Sequence, residues 1–194
     1  MYYNISQIRK ILKNYLDTVR YEHSLSVSFM CIALAMKYEV DIEKAELAGL
    51  LHDCAKHYDT ETIKNKCIKN NMNINEYELE NLELLHAKLG AFMAVNEFNI
   101  QDIEIINAIL HHTTGKAEMS RLEQIVYVAD YIEPRRDKAK RLPELRKLAF
   151  ENLDLVTAYI MNDTLKYLED KNIRLDIKTR KAYEYYMNIV RLEK

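Results

Sequence analysis

Three glycines and two prolines are all the helix breakers in 194 residues. Tight sheet turns need such residues, so their scarcity commits most of the backbone to helix. The apolar pattern agrees. Ile5, Ile8, Leu12, Tyr15, Leu16 and Val19 recur at helical spacing. A second helix is expected over Glu22 to Lys37, and a third over "IEKAELAGLLHDCAK" with Asp41 as its cap. Asp59 or Thr60 opens a fourth, which leaves through "KNNMN". "NINEYELENLEL" reads as a loop with a short helical piece. Leu82, His86, Leu89 and Met93 make one stripe ending near Asn96, and "QDIEIINAILHH" makes another helix, stopped around Gly115.

Ser120 and Glu123 then form a capping box ahead of "RLEQIVYVADYIE", which Pro134 closes. "RRDKAKRLPELR" reads as a basic, exposed connection. Leu153, Val156, Ile160, Leu165 and Leu168 carry a long helix to about Lys171, and a last one spans Thr179 to Leu192. The expected architecture is an all-α, bundle-like single domain.

Charge and composition narrow the function classes. A net charge of −2 gives no basic field for nucleic acid. No apolar run approaches the roughly 20 residues of a membrane span. "MYYNISQIRK" has no apolar signal core, so a cytoplasmic protein is expected. Cys31, Cys54 and Cys67 form no CxxC pair, which fits reduced thiols and no disulfide. Nothing in the pattern fixes the oligomeric state.

The informative residues are ionisable groups on apolar helix faces, because an unpaired buried charge costs several kcal/mol. Asp130 lies within "IVYVADYI". Alone, it reads as a buried salt bridge or a cap. His112 follows Ile109 by three and Ile105 by seven, so it points inward; His111 follows Glu104 and points outward. His86 shares its stripe with Leu82, Leu89 and Met93, and His23 lies on the side of Val27 and Met30. His52 and Asp53 end the apolar segment "LAGLL", about 100° apart on their helix. Gly49, one turn earlier, allows either close helix packing or clearance for something bulky at that pair.

Four of the six histidines and two acids thus face inward from five helices. Imidazole with carboxylate suits iron, zinc, manganese or cobalt. Six ligands exceed the needs of one catalytic zinc and fit two metals about 3.5–4 Å apart with a bridging carboxylate.

The order His23, His52-Asp53, Asp130 resembles the HD superfamily of metal-dependent phosphohydrolases. The strings "VRYEHS", "LLHDCAK", "HAKLGA", "HTTG" and "IVYVADYIEPRR" are similar to the bacterial YqeK family, from about Arg20 to near Tyr183. The resemblance implies an HD-type domain with a core of about residues 18–135 and a helical extension over about 143–194. It implies hydrolysis of diadenosine tetraphosphate into two ADP, with a metal-bridged hydroxide as nucleophile. The implied metal ligands are His23, His52, Asp53, His86, His112 and Asp130, with Asp53 bridging; iron is favoured, with manganese, cobalt and zinc as alternatives. The family commonly has an aromatic where this chain has His111, which agrees with His112 as the ligand.

Phosphoryl transfer needs cations and positioning. Lys56, one turn after His52-Asp53, is the first candidate and is grouped with Asp53 as catalytic. Arg136, after "YIEP", would clamp phosphate, and Thr113 offers a hydroxyl beside His112. Arg20 would orient a carboxylate or meet phosphate. His23, His86, His112 and Asp130 would face the substrate as well. A Thr-x-x-x-Tyr segment, matched by Thr179 and Tyr183, implies a nucleotide contact from the tail, although Glu184 replaces the asparagine common after it. The rival readings are an HD phosphohydrolase of another nucleotide (a monophosphate, a guanosine polyphosphate or a cyclic nucleotide), a dinuclear-iron oxygenase, and a non-catalytic metal-containing module.

Overall fold

The computed structural model describes residues 4–139, 141–174 and 177–192, and every regular element among them is helical. The first helix, α1, covers Ile5–Tyr15, and α2 covers Thr18–Tyr38. The boundary between them falls earlier than the expected Glu22. Asp17 caps α2 by accepting the Arg20 amide at 2.9 Å, and a good N-cap decides the start. Val19 therefore leaves the first helix's inward stripe and stands 78% exposed in the first turn of α2.

Helix α3, Ile42–Leu51, is capped by Asp41 as expected. It packs tightly on α2. A Cβ on Gly49 would come within 2.8 Å of Cys31 Sγ and 3.0 Å of Ser28 Cα. Close packing is thus the reason for that glycine. The helix also stops sooner than expected. His52 and Asp53 form a turn, and a 3₁₀ segment, Cys54–His57, takes over. The tighter turn eclipses residues three apart, which keeps Lys56 beside Asp53.

Helix α4 is Thr60–Lys69 with Asp59 as its cap. The short α5, Glu76–Glu80, and a 3₁₀ turn at Leu82–Leu84 lead into α6, Leu85–Asn96. Helix α7, Ile103–His111, ends where Gly115, at φ +62°, turns the chain away. Helix α8, Arg121–Ile132, opens with the Ser120/Glu123 capping box.

The supposed basic connection contains a helix, α9, Leu142–Leu148. Leu142 and Leu145 bury themselves, and Pro143 is tolerated in the first turn. Its Arg146 is also engaged: it donates to the carbonyls of Ile132, Glu133 and Arg136, each at 2.8 Å. Helix α10, Leu153–Asp170, lies against α8, and α11, Ile177–Leu192, packs on α10. The Tyr186 hydroxyl accepts the Met119 amide at 3.0 Å, tying α11 to the loop before α8.

The core is built from α2, α3, α6, α7 and α8, with Leu34, Leu47, Leu50, Leu85 and Ile109 fully buried. These helices surround the polar cluster described next. Among the described residues, no helix is long and apolar enough to cross a membrane.

Candidate metal centre

Each of the five core segments contributes to one buried polar cluster: His23 from α2, His52 and Asp53 from the end of α3, His86 from α6, His112 from the end of α7, and Asp130 from α8. Helix periodicity alone puts His86, His112 and Asp130 on inward faces. His52 and Asp53 both reach the centre because α3 unwinds there.

The histidines are held by their Nδ1 atoms. His52 Nδ1 lies 2.7 Å from the Gly49 carbonyl, and His112 Nδ1 lies 2.8 Å from that of Ile109. His86 Nδ1 meets the Glu83 carbonyl, and His23 Nδ1 lies 3.2 Å from Glu133 Oε1. An acceptor at Nδ1 assigns the proton there, leaving every Nε2 a bare lone pair. Those lone pairs then meet each other: His52 and His23 Nε2 are 3.3 Å apart, and His86 and His112 Nε2 are 3.1 Å apart. Two acceptors at that distance repel unless a cation lies between them.

Asp53 sits amid these pairs with its carboxylate 1% exposed. Its Oδ1 accepts no aligned hydrogen bond, although Lys56 Nζ forms an ion pair with it at 3.0 Å. Oδ1 is 3.4 Å from His86 Nε2 and 3.5 Å from His112 Nε2. Oδ2 is 3.6 Å from His52 Nε2 and 3.9 Å from His23 Nε2. Asp130 Oδ1 completes that second side, 3.1 Å from His23 Nε2 and 3.9 Å from His52 Nε2. Bare imidazole nitrogens around carboxylate oxygens form a donor set for a divalent metal, and the groups His23/His52/Asp130 and His52/Asp53/His112 each lie close enough to share one ion.

Burial and charge set the protonation. Burial lowers His52 to about 4 and His86 to about 3, so both stay neutral at physiological pH. His86 is lowered further by His112 and Lys56. Burial also opposes charge on His23, but Asp130, Asp53 and Glu133 outweigh it and raise the ring above its ordinary value. Burial works to raise Asp53, yet His52 and His112, which gain charge when protonated in acid, and the Lys56 ammonium hold it well below the usual carboxylate range. Asp130 is held low by His23, whose Nε2 donates to it when that ring carries its second proton, again against the effect of burial.

The other expected site residues divide. Lys56 and Arg20 both bear on Asp53, Arg20 Nη1 lying 3.3 Å from Oδ2. Arg136 grips Asp130, with Nη2 2.7 Å from Oδ1 and Nε donating to the backbone carbonyl. Thr113 Oγ1 lies 3.0 Å from His112 Nε2 and 3.2 Å from His86 Nε2. His111 stays out of the cluster, paired with Glu123 at 2.7 Å.

Thr179 and Tyr183 are not brought to the cluster. Both belong to α11, Thr179 is buried, and the Tyr183 hydroxyl donates to Asn162 at 3.3 Å. The structure also adds a residue that periodicity did not flag. Glu133 is buried and holds His23 Nδ1, the Ser26 hydroxyl at 2.6 Å and the Arg135 amide at 2.7 Å. Its acidic side chain just ahead of Pro134 looked like an ordinary helix end.

A cavity of about 1020 Å³ opens from the cluster. His23, His112, Thr113, Asp130 and Arg136 are among its lining residues, and α10 adds Ile160, Asp163, Thr164 and Tyr167.

Helices that deliver His, His-Asp and Asp to one centre define a metal-dependent HD protein. The HD domain model matches residues 20–135, and the chain belongs to that family, in its YqeK-type branch. It is 35% identical to the "Bis(5'-nucleosyl)-tetraphosphatase, symmetrical" of Staphylococcus aureus (strain NCTC 8325 / PS 47) over 191 residues, covering 94% of each chain. The Bacillus subtilis (strain 168) protein of the same description is 37% identical, over 83% of this chain and 86% of its own. A crystal structure from Clostridium acetobutylicum, described as a predicted HD superfamily hydrolase involved in NAD metabolism, superposes with a TM-score of 0.92 at 38% identity. That match covers 97% of this chain and 99% of that one.

Proposed function

We propose that this chain is a symmetrical dinucleoside tetraphosphatase: water adds across the central P–O–P bridge of diadenosine tetraphosphate and two ADP leave. The observation that carries the reading is the pair of facing Nε2 lone pairs, at 3.1 and 3.3 Å, each beside one oxygen of Asp53. Two ions would be held by this donor set, one by His86, His112 and Asp53, the other by His23, His52, Asp130 and Asp53. When bound, such metals supply an activated water near neutral pH and a Lewis acid for a phosphoryl oxygen. Iron is favoured among the divalent metals that imidazole and carboxylate accept.

The remaining residues position the polyphosphate. Arg136 and Thr113 face the cavity, where a planar guanidinium and a hydroxyl can hold phosphate oxygens. Lys56 and Arg20 neutralise and orient Asp53. The named relatives support the substrate, and the buried, unpaired thiols Cys31, Cys54 and Cys67 support a reducing, cytoplasmic setting. The helices after α8 are read as the extension of one HD-type domain.

The test combines elemental analysis of anaerobically purified protein with chromatography of its products from a nucleotide panel. Two ADP per diadenosine tetraphosphate and about two metal ions per chain are expected. A protein that leaves this dinucleotide intact while cleaving a monophosphate or a cyclic nucleotide would sink the substrate reading.

A further inference from the structure

One wall of the cavity lies outside the 20–135 span of the HD domain model. It is made by α10, through Ile160, Asp163, Thr164 and Tyr167, beside Tyr131 of α8. Its polar groups are already engaged. Asp163 takes Arg141 Nη1 at 3.2 Å, and Thr164 hydrogen-bonds the Tyr127 side chain. What this wall offers a ligand is aromatic and apolar surface. Tyr167 is 58% exposed although it lines a cavity, and the other strongly exposed apolar lining residue, Val19, stands at 78%. The same cavity is lined by Arg136 and by His23, His112 and Asp130 of the cluster, so aromatic surface and phosphate-binding groups share one space.

We propose that this wall is a nucleobase platform, with Tyr167 its principal stacking face, and that it holds purines without reading their edges. The inference rests on the hydrolase reading above for the identity of the ligand. A phosphate chain drawn to Arg136 and the metal cluster leaves its nucleoside in the same cavity as Tyr167, and a base has a π-face to lay on tyrosine. Reading adenine against guanine requires free donors and acceptors at the base edge. On this wall Asp163 and Thr164 are each already partnered, by Arg141 and Tyr127. Stacking of this kind is tolerant of base identity, and loss of one such aromatic weakens binding by roughly 5- to 100-fold.

The experiment is calorimetry on metal-loaded wild type, Tyr167→Ala and Tyr167→Phe, with ADP, GDP and pyrophosphate as separate probes. Wild type should bind ADP and GDP within about threefold of each other. Tyr167→Ala should weaken both nucleotides by about tenfold or more, with pyrophosphate affinity and metal content preserved, and Tyr167→Phe should behave as wild type. An unchanged ADP affinity in Tyr167→Ala overturns the platform, as does an equal loss for pyrophosphate. A wild-type preference for ADP over GDP beyond tenfold overturns its indifference to the base edge. Wild type that binds ADP and GDP through Tyr167 yet leaves diadenosine tetraphosphate intact supports the platform and overturns the hydrolase reading instead.

Discussion

The two sides of the Asp53 carboxylate differ in how far their ligands are exposed and in what anchors them. On the Oδ1 side, His86 and His112 have side chains 4% and 1% exposed, each fixed by a backbone carbonyl of its own helix turn. On the Oδ2 side, His52 is buried and held by the Gly49 carbonyl in the same way, but His23 and Asp130 are 14% and 19% exposed and are held by other side chains, Glu133 and Arg136. Backbone anchors are rigid and uncharged; side-chain anchors are mobile and carry charge. The inner side is therefore preorganised for a permanent ion, and the outer side is tuned by charge and faces the cavity where substrate arrives.

The substitution with the largest expected effect removes what the two sides share. Asp53→Ala strips one oxygen from each donor group, so both metal equivalents should be lost in elemental analysis. Turnover should fall by more than the 100-fold that loss of a mere supporting residue causes, roughly 10³-fold or beyond. Retention of two ions would show that Asp53 does not bridge.

Next come the single-side substitutions. His112→Ala should release the inner ion and His23→Ala the outer one, each variant keeping about one equivalent. If either change empties both sides, the comparison between them fails and the cluster behaves as one unit.

Acid should separate the sides as well. Metal binding requires a neutral imidazole, so protons compete with the ion. His23 has its affinity for protons raised by its carboxylate neighbours, and competition begins near or above its ordinary value of 6.5. His86 is lowered to about 3, so protons scarcely compete at that ring until the pH is far lower. Dialysis at stepped pH, followed by metal analysis, should therefore show the outer equivalent leaving first, between about pH 7 and 5, with the inner one persisting below that. Simultaneous release would contradict the assignment.

The same contrast explains what could be read in advance. The inner histidines sit in regular helices, where apolar neighbours at three and seven residues reveal direction, so His86 and His112 were legible from phase. The ends of elements were less so. Asp17 moved the start of α2, and the unwinding after Leu51 changed how Lys56 reaches Asp53. Helix α9 was hidden because Arg141 and Arg146 look like solvent-facing charge, whereas their partners come from distant segments. Thr179 and Tyr183 were carried over from the family pattern alone, and packing of α11 on α10 keeps them from the cluster. Glu133 carries no periodic signal at all: its importance lies in His23 and Ser26, over a hundred residues away in the chain.

Glu133 supports the smallest and most selective prediction. Its carboxylate fixes the ring of His23 by accepting from Nδ1, and it is itself held by Ser26 and the Arg135 amide. Such a supporting acceptor makes the ligand nitrogen more basic and orients it, and its loss typically costs 10–100-fold in metal affinity. Glu133→Gln keeps the shape and an acceptor oxygen but removes the charge. The outer ion should then bind about tenfold more weakly while the inner ion is unchanged, and excess metal should restore most of the turnover. Removing the charge also withdraws one influence that raises His23, so proton competition at that ring should move to lower pH even as the metal binds less tightly. Weaker metal binding together with a lowered proton affinity of the His23 ring in the metal-free protein, read by NMR titration, is a combination that simple unfolding of the outer side would not produce.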